Sequence, residues 1–111
     1  MTGDEYQTNV MGFNYDYPES LGAFCTLLRM NERIGSLSSM MVDILNKPDA
    51  SITNKERDEM SVKLGEILMY LTRTIHHCGL TLDDIMQQNI DIQNNKLQYE
   101  NVLNRDIFRR R

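Results

Sequence analysis

Residues 53–84, TNKERDEMSVKLGEILMYLTRTIHHCGLTLDD, decide the fold of this chain. Thr53 followed by Glu56 three residues later is a capping box, which satisfies backbone N–H groups in the first turn of a helix. Apolar residues then recur at three- and four-residue steps over residues 60–78, which is the spacing of one helix face. Gly79 suits the position just after a helix, because glycine adopts positive φ without a steric penalty. The stretch therefore predicts one amphipathic helix that ends just before this glycine.

A helix is predicted on either side of this central one, which covers about 54–78. Thr81 is a suitable N-cap, and the helix that it starts is predicted over about 82–99. Upstream, an apolar stripe predicts a helix over about 19–46, and Pro48 ends it because the residue before a proline avoids the helical region. The sequence shows no strand pattern. It therefore predicts an all-α bundle of three main helices.

The sequence divides into one helical domain with a short segment at each end. Residues 1–17 are polar and aromatic and are predicted as an N-terminal segment, residues 18–103 as the helical domain, and residues 104–111 as a basic tail, frayed or docked on a partner. A chain of 111 residues buries only a modest core of its own. Because one such chain covers its apolar stripes only in part, we expect it to form a dimer or tetramer.

Composition and charge exclude several classes of protein. The formal net charge of −4 argues against generic nucleic-acid binding, which depends on excess Lys and Arg. No apolar run approaches the roughly 18 residues of a membrane span, and the acidic start at residues 1–5 lacks the apolar stretch of a signal peptide. Cys25 and Cys78 fall on apolar helical stripes and are expected to be buried, reduced thiols. We therefore predict a cytoplasmic protein without nucleic acid or membrane as a partner.

Several short motifs follow one another along the chain. They are MTGDEYQ at 1–7, RIGS at 33–36, KLGEILMYL at 63–71, GLTLDD at 79–84 and NI at 89–90. This ordered set resembles the MazG-like, all-α nucleoside triphosphate pyrophosphohydrolases, above all their short single-domain forms in phage and bacterial genomes, over roughly residues 1–97. The resemblance implies a MazG-like helical bundle. It also implies a site where four carboxylates, spaced three residues apart on two facing helices, hold Mg²⁺.

Most of those carboxylates are replaced in this chain. The matching positions hold Arg33, Ser36, Lys63 and Glu66, which carry a formal charge of +1 where four carboxylates would carry −4. Arg and Lys contact phosphate oxygens directly, and Arg does so with a bidentate fork. Without a bound metal there is no metal-assisted activation of water. The resemblance thus implies a ligand pocket with no catalytic residue, no bound metal and no cofactor.

Two positions on the last helix complete the predicted ligand site. Asn89 matches a family position near the phosphates, and Lys96 is a candidate basic residue further along the helix. Ile92 stands where many relatives have Lys, which weakens that part of the site. The predicted ligand-binding residues are Arg33, Ser36, Lys63, Glu66, Asn89 and Lys96.

Aromatic and imidazole side chains allow more than one interpretation. Phe13, Tyr15 and Tyr17 either stack a base or anchor the N-terminal segment, and anchoring is favoured. His76 and His77 are adjacent on a helix and diverge by about 100°, so they chelate one ion poorly. We expect these two histidines at a surface or an interface.

The leading hypothesis is a catalytically inactive protein that binds and sequesters a nucleotide-derived ligand. In a phage such a protein would act in the host cytoplasm, with a host immune signalling nucleotide of the cyclic or ADP-ribose type as one candidate, although no residue pattern specifies it. The alternative is a Mg²⁺-dependent nucleoside triphosphate pyrophosphohydrolase of the nucleotide pool. A relocated metal site from Glu32, Glu59 and Glu66 stays open, as does a purely structural module without a ligand pocket.

Overall fold

The computed structural model describes residues 1–109, apart from the side-chain surroundings of 99 and 102–109. The elements are α1 (Gly3–Met11), a short 3₁₀ turn (Glu19–Leu21), α2 (Gly22–Leu45), α3 (Asn54–His77) and α4 (Leu82–Arg109). No strand occurs over the described backbone, so the predicted all-α class is confirmed. The helix count differs from the prediction, because a further α-helix precedes the three expected ones. None of the described helices has the length and apolar character needed to cross a membrane.

Helix α1 lies within residues 1–17, which were predicted as an N-terminal segment and were assigned no helix from the sequence. Thr2 caps it, and the side-chain oxygen of Thr2 accepts a hydrogen bond from the Glu5 N–H at 3.1 Å. The helix packs on α3 and α4 and buries Val10, which is 2% exposed. A helix of nine residues is marginal in isolation and depends on such packing. This dependence on distant contacts is why no local apolar stripe revealed it.

A buried glutamine fastens α1 to the turn between α3 and α4. Gln7 Nε2 donates to the Leu80 carbonyl at 3.1 Å, and Gln7 Oε1 accepts from the Leu82 N–H at 2.8 Å. The Gly3 N–H donates to Asp83 Oδ1 at 2.9 Å in the same region. The first turn of α4 is thereby capped partly by α1, as well as by the predicted N-cap Thr81, whose Oγ1 accepts from Asp84 N.

Helices α2 and α3 form an antiparallel hairpin, and the capping features predicted from the sequence are found at both ends of α3. The predicted capping box of Thr53 and Glu56 is confirmed in both directions. Lys47, two residues after the end of α2, pairs with Glu56, and this contact together with the Thr53 N–H lowers the pKa of Glu56 to about 2. At the other end Gly79 has the expected positive φ, 75°, and the N–H that follows it closes the turn onto Ile75.

The capping box gives a direct stability prediction. Thr53→Ala removes the side-chain acceptor of the Glu56 N–H, and we expect the free energy of unfolding to fall by about 1 kcal/mol. Urea-induced unfolding followed by circular dichroism measures this loss. Ser61→Ala, an exposed change within the same helix, is the matched control and should cost nothing. An equal loss in both variants would show that the cap contributes nothing specific.

Two predictions are wrong: the burial of the two cysteines and the position at which the last helix ends. Cys78 is exposed rather than buried, because it is the C-cap residue of α3 and lies beyond the packed face, while Cys25 is half-buried. Helix α4 continues to Arg109 instead of ending near residue 99, so most of the predicted tail is helical. Residues 110 and 111 of that tail lie outside the described residues.

The core is small and sits mostly where α1 meets the α2–α3 hairpin and the start of α4, with Ile44 buried at the other end of the hairpin. The buried apolar side chains of the described residues are Val10, Tyr17, Ile44, Tyr70, Ile75 and Leu82. Many large apolar residues remain exposed, among them Leu28 and Leu45 of α2 at 68% and 71%. The apolar stripes are therefore covered only in part within one chain.

Candidate functional site

The two predicted residue pairs on α2 and α3 meet across the hairpin. Arg33 Nε donates to Glu66 Oε2 at 2.8 Å, and Lys63 Nζ donates to Ser36 Oγ at 2.8 Å. Residues three apart on a helix share a face, and the antiparallel hairpin turns these two faces toward each other. We call Arg33, Ser36, Lys63 and Glu66 the charged cluster.

The positive charges of the charged cluster are only partly neutralised by neighbouring carboxylates. The Arg33 and Glu66 side chains are 43% and 35% exposed, so their ion pair is of the partly solvated kind worth about 0–1 kcal/mol. No carboxylate of the described residues lies within ion-pair distance of Lys63. An incoming phosphate thus meets one ammonium without a counter-ion and one guanidinium held by a weak pair.

A cavity of about 560 Å³ opens beside the charged cluster, between α1 and α3. Glu66 and Gly65 contribute to its wall from α3, and a Cβ placed on Gly65 would meet no atom within 4 Å. Tyr6 and Phe13 line it from α1. Ligand pockets commonly have this size and combine apolar walls with a few polar groups. We call this space the α1–α3 cavity.

A second space of about 670 Å³ lies between α3 and α4, is bordered by the start of α1, and takes in Asn89. Its walls are largely apolar, and we call it the α3–α4 groove. Met1 and Tyr6 line both spaces, so the two adjoin. Asn89 therefore neighbours the α1–α3 cavity without joining the charged cluster. Lys96 is exposed on α4, about 10 Å beyond Asn89 along the helix axis, and is not brought to either space.

The donor set of the charged cluster does not fit Mg²⁺. Within the described part of the chain, no three His, Cys, Asp or Glu side chains lie close enough to hold an ion. The relocated metal site of Glu32, Glu59 and Glu66 is therefore not formed. Mg²⁺ requires several hard oxygen ligands, whereas the cluster offers one carboxylate, which Arg33 already contacts.

A second set of basic and aromatic side chains lies further along the α2–α3 hairpin, and its two arginines, Arg29 and Arg73, were missed from the sequence. The rings of Tyr15 and Tyr17 stack at 4.5 Å with an angle of 18°. The Arg29 guanidinium lies 5.6 Å from the Tyr17 ring centroid, and that of Arg73 lies 5.7 Å from Tyr15. Arg73 is 4% exposed, and its Nε has no hydrogen-bond partner. The only feature of the sequence that could have indicated Arg73 is its position seven residues after Glu66, which puts both residues on one helix face.

The stacked tyrosines anchor the N-terminal segment to the hairpin. Tyr17 is 7% exposed, and its hydroxyl lies 3.2 Å from His77 Nε2. Burial lowers the pKa of His77, and the adjacent His76 lowers it further. His76 instead faces Gln7, whose Nε2 is 3.2 Å from His76 Nδ1. The two imidazoles thus diverge as expected and serve two different contacts rather than one ion.

Comparison with protein-family models, with curated proteins and with solved structures finds no match for this chain. The resemblance to the MazG-like hydrolases accordingly stays a prediction from the ordered motifs. The charged cluster and the adjoining α1–α3 cavity are the features of this chain that a proposed function has to explain.

Proposed function

We propose that the protein binds a nucleotide-type ligand through its phosphate and does not hydrolyse it. The observation that supports this function is the charged cluster, which places Arg33 and Lys63 on two facing helices. Its Glu66, which Arg33 contacts, lines a cavity of about 560 Å³. A formal charge of +1 at this point attracts an anion and repels a divalent cation. A phosphate is the anion that a paired guanidinium and ammonium recognise best.

In the proposed complex the charged cluster binds the phosphate of the ligand, and the α1–α3 cavity binds its sugar and base. Phosphate oxygens accept hydrogen bonds from Arg33 and Lys63, each worth about 1.5–3 kcal/mol when shielded from water. Ser36 lies within hydrogen-bond distance of Lys63 and offers a further donor to the same oxygens. The sugar and base occupy the α1–α3 cavity, where Tyr6 and Phe13 supply aromatic surface. Asn89 reaches the ligand from the adjoining groove, and Lys96 contributes only to a ligand that extends along α4.

Sequestration follows from binding without turnover. Glu66 contacts Arg33 at 2.8 Å, so this carboxylate is held by a cation and is not directed at a water molecule or a metal. A ligand that enters is then released unchanged. A host immune signalling nucleotide is a ligand class for which capture without turnover suffices, and a phage protein in the host cytoplasm would use it against host defence.

Ligand capture tests this proposal. The protein is purified under native conditions and heat-denatured, and the small molecules released are measured by mass spectrometry. We expect a phosphate-containing nucleotide derivative, retained in the presence of EDTA. Release of no such compound would favour the structural module.

Incubation with nucleoside triphosphates and Mg²⁺ tests the enzymatic alternative. We expect no pyrophosphate, because the donor set does not fit the ion. Pyrophosphate release near 1 s⁻¹, an ordinary turnover, would instead establish the Mg²⁺-dependent pyrophosphohydrolase.

A further inference from the structure

The single chain exposes far more surface than a compact protein of its size. Its solvent-accessible surface is 8462 Å², whereas folded monomers of 13.0 kDa expose about 6,300 Å². Its Cα radius of gyration is 19.3 Å, against about 13 Å for a compact domain of 111 residues. The excess of about 2,100 Å² is more than twice the roughly 800 Å² that each partner contributes to a standard interface.

Much of this surface lies along α4. Every side chain from Met86 to Gln98 is exposed. Met86, Ile90 and Leu97 are 51%, 55% and 57% exposed, and their spacing of four and seven residues puts them on one face. We call these three residues the α4 ridge. An isolated helix is marginal in water and gains most of its stability from packing its apolar face, so the ridge needs a surface to cover it.

The α3–α4 groove is a surface of matching character. Leu64, Leu68 and Leu71 run along α3 at steps of four and three residues and are 50%, 43% and 39% exposed. Leu68 and Leu71 line the groove. Two apolar stripes with helical spacing pack together when their helices lie side by side. Both the ridge and the groove belong to this chain, and they meet at Met86, which is part of the ridge and also lines the groove. The start of α1 borders the groove, and the apolar residues named here remain exposed in the single chain.

We propose that two copies of the chain pair through this region, with the α4 ridge of each copy covering the α3–α4 groove of the other. A second copy is the occupant because a two-fold arrangement covers each ridge and each groove at once. The helices α3 and α4 of both copies then form a four-helix bundle. The exposed area is sufficient for such an interface, and the pairing does not depend on nucleotide binding.

Sedimentation equilibrium of the full chain tests the pairing. We expect particles of two or four chains at about 10 μM protein, where any pair with a micromolar Kd is populated. Ile90→Glu on the ridge and Leu68→Lys in the groove each bury a charge in both contacts of the pair, and each should raise the dissociation constant at least about 100-fold. Both positions are exposed in the single chain, so helix content by circular dichroism should be unchanged.

Asn95→Glu is the matched control, because Asn95 lies on the face of α4 opposite the ridge and should leave assembly intact. Mixing the Ile90→Glu and Leu68→Lys proteins should restore pairing, since the mixed pair has one unmodified contact and one with opposite charges. Several results would overturn the proposal: a monomeric unmodified protein, single variants that still pair, a control that dissociates, or a mixture that stays monomeric.

Discussion

Reversing the charge of Arg33 or Lys63 is expected to weaken binding of the captured ligand at least tenfold. Each variant, Arg33→Glu or Lys63→Glu, removes a charge-assisted contact to phosphate worth about 1.5–3 kcal/mol, and about 1.4 kcal/mol is one decade in Kd. Arg33→Glu also places a second carboxylate at the position that now contacts Glu66 at 2.8 Å, which repels the phosphate further. Isothermal titration calorimetry with the captured ligand measures the change.

A matched control separates the local effect from the change in net charge. Arg57 is an exposed basic residue on the same helix, about 9 Å from Lys63 along the axis. Arg57→Glu alters the net charge by the same amount and should leave the Kd within about twofold. A similar loss of affinity in this control would attribute the effect to the overall field of the protein rather than to the charged cluster.

Whether ligand binding depends on a metal ion distinguishes direct phosphate binding from the Mg²⁺-dependent pyrophosphohydrolase. Binding to the unmodified protein should survive EDTA, because Arg33 and Lys63 contact the phosphate without a bridging cation. The double variant Arg33→Glu, Lys63→Glu restores three carboxylates to the four positions, and any binding that it retains should depend on Mg²⁺. Loss of binding to the unmodified protein in EDTA, or unchanged affinity in both single variants, would refute the direct phosphate contact.

Gly22→Ala is expected to lower the free energy of unfolding by about 1–3 kcal/mol, although alanine favours helices. A Cβ at Gly22 would lie 2.5 Å from His77 Cε1, which is far inside van der Waals contact. The imidazole cannot move away easily, because it packs edge-on against Tyr15 and Tyr17 and bonds the Tyr17 hydroxyl. The substitution therefore disturbs the anchor of the N-terminal segment as well as the α2–α3 contact.

A glycine-to-alanine substitution at another position of α2 is expected to have the opposite effect on the free energy of unfolding. A Cβ at Gly35 would meet no atom within 4 Å, so Gly35→Ala should raise the free energy of unfolding by about 0.5–1 kcal/mol. Urea-induced unfolding at a fixed protein concentration compares the two variants directly. Equal effects at both positions would show that His77 adapts freely and that the close approach at Gly22 is not a constraint.

Local signals in the sequence determined where α3 begins and ends and where α4 begins, whereas the predicted start of α2 near residue 19 is a 3₁₀ turn and the helix begins at Gly22. The Thr53 cap, the positive φ of Gly79 and the Thr81 cap each involve residues within about one or two helical turns, so short-range rules predict them. The cluster required one further assumption, that the two helices face each other. The resemblance to the MazG-like hydrolases supplied the four positions and that assumption, the i, i+3 spacing puts each pair on one face, and the contacts Arg33–Glu66 and Lys63–Ser36 bring the two pairs together.

Tertiary structure alone decided the rest of the candidate site. Helix α1 exists because residues far apart in the chain meet, as when Gln7 accepts from the Leu82 N–H 75 residues away. The same long-range packing separates Asn89 from the charged cluster and buries Arg73 beneath Tyr15. Periodicity assigns a residue to a face of its own helix, but it carries no information about which distant segment covers that face. Burial and neighbouring charge therefore follow only from how the helices pack.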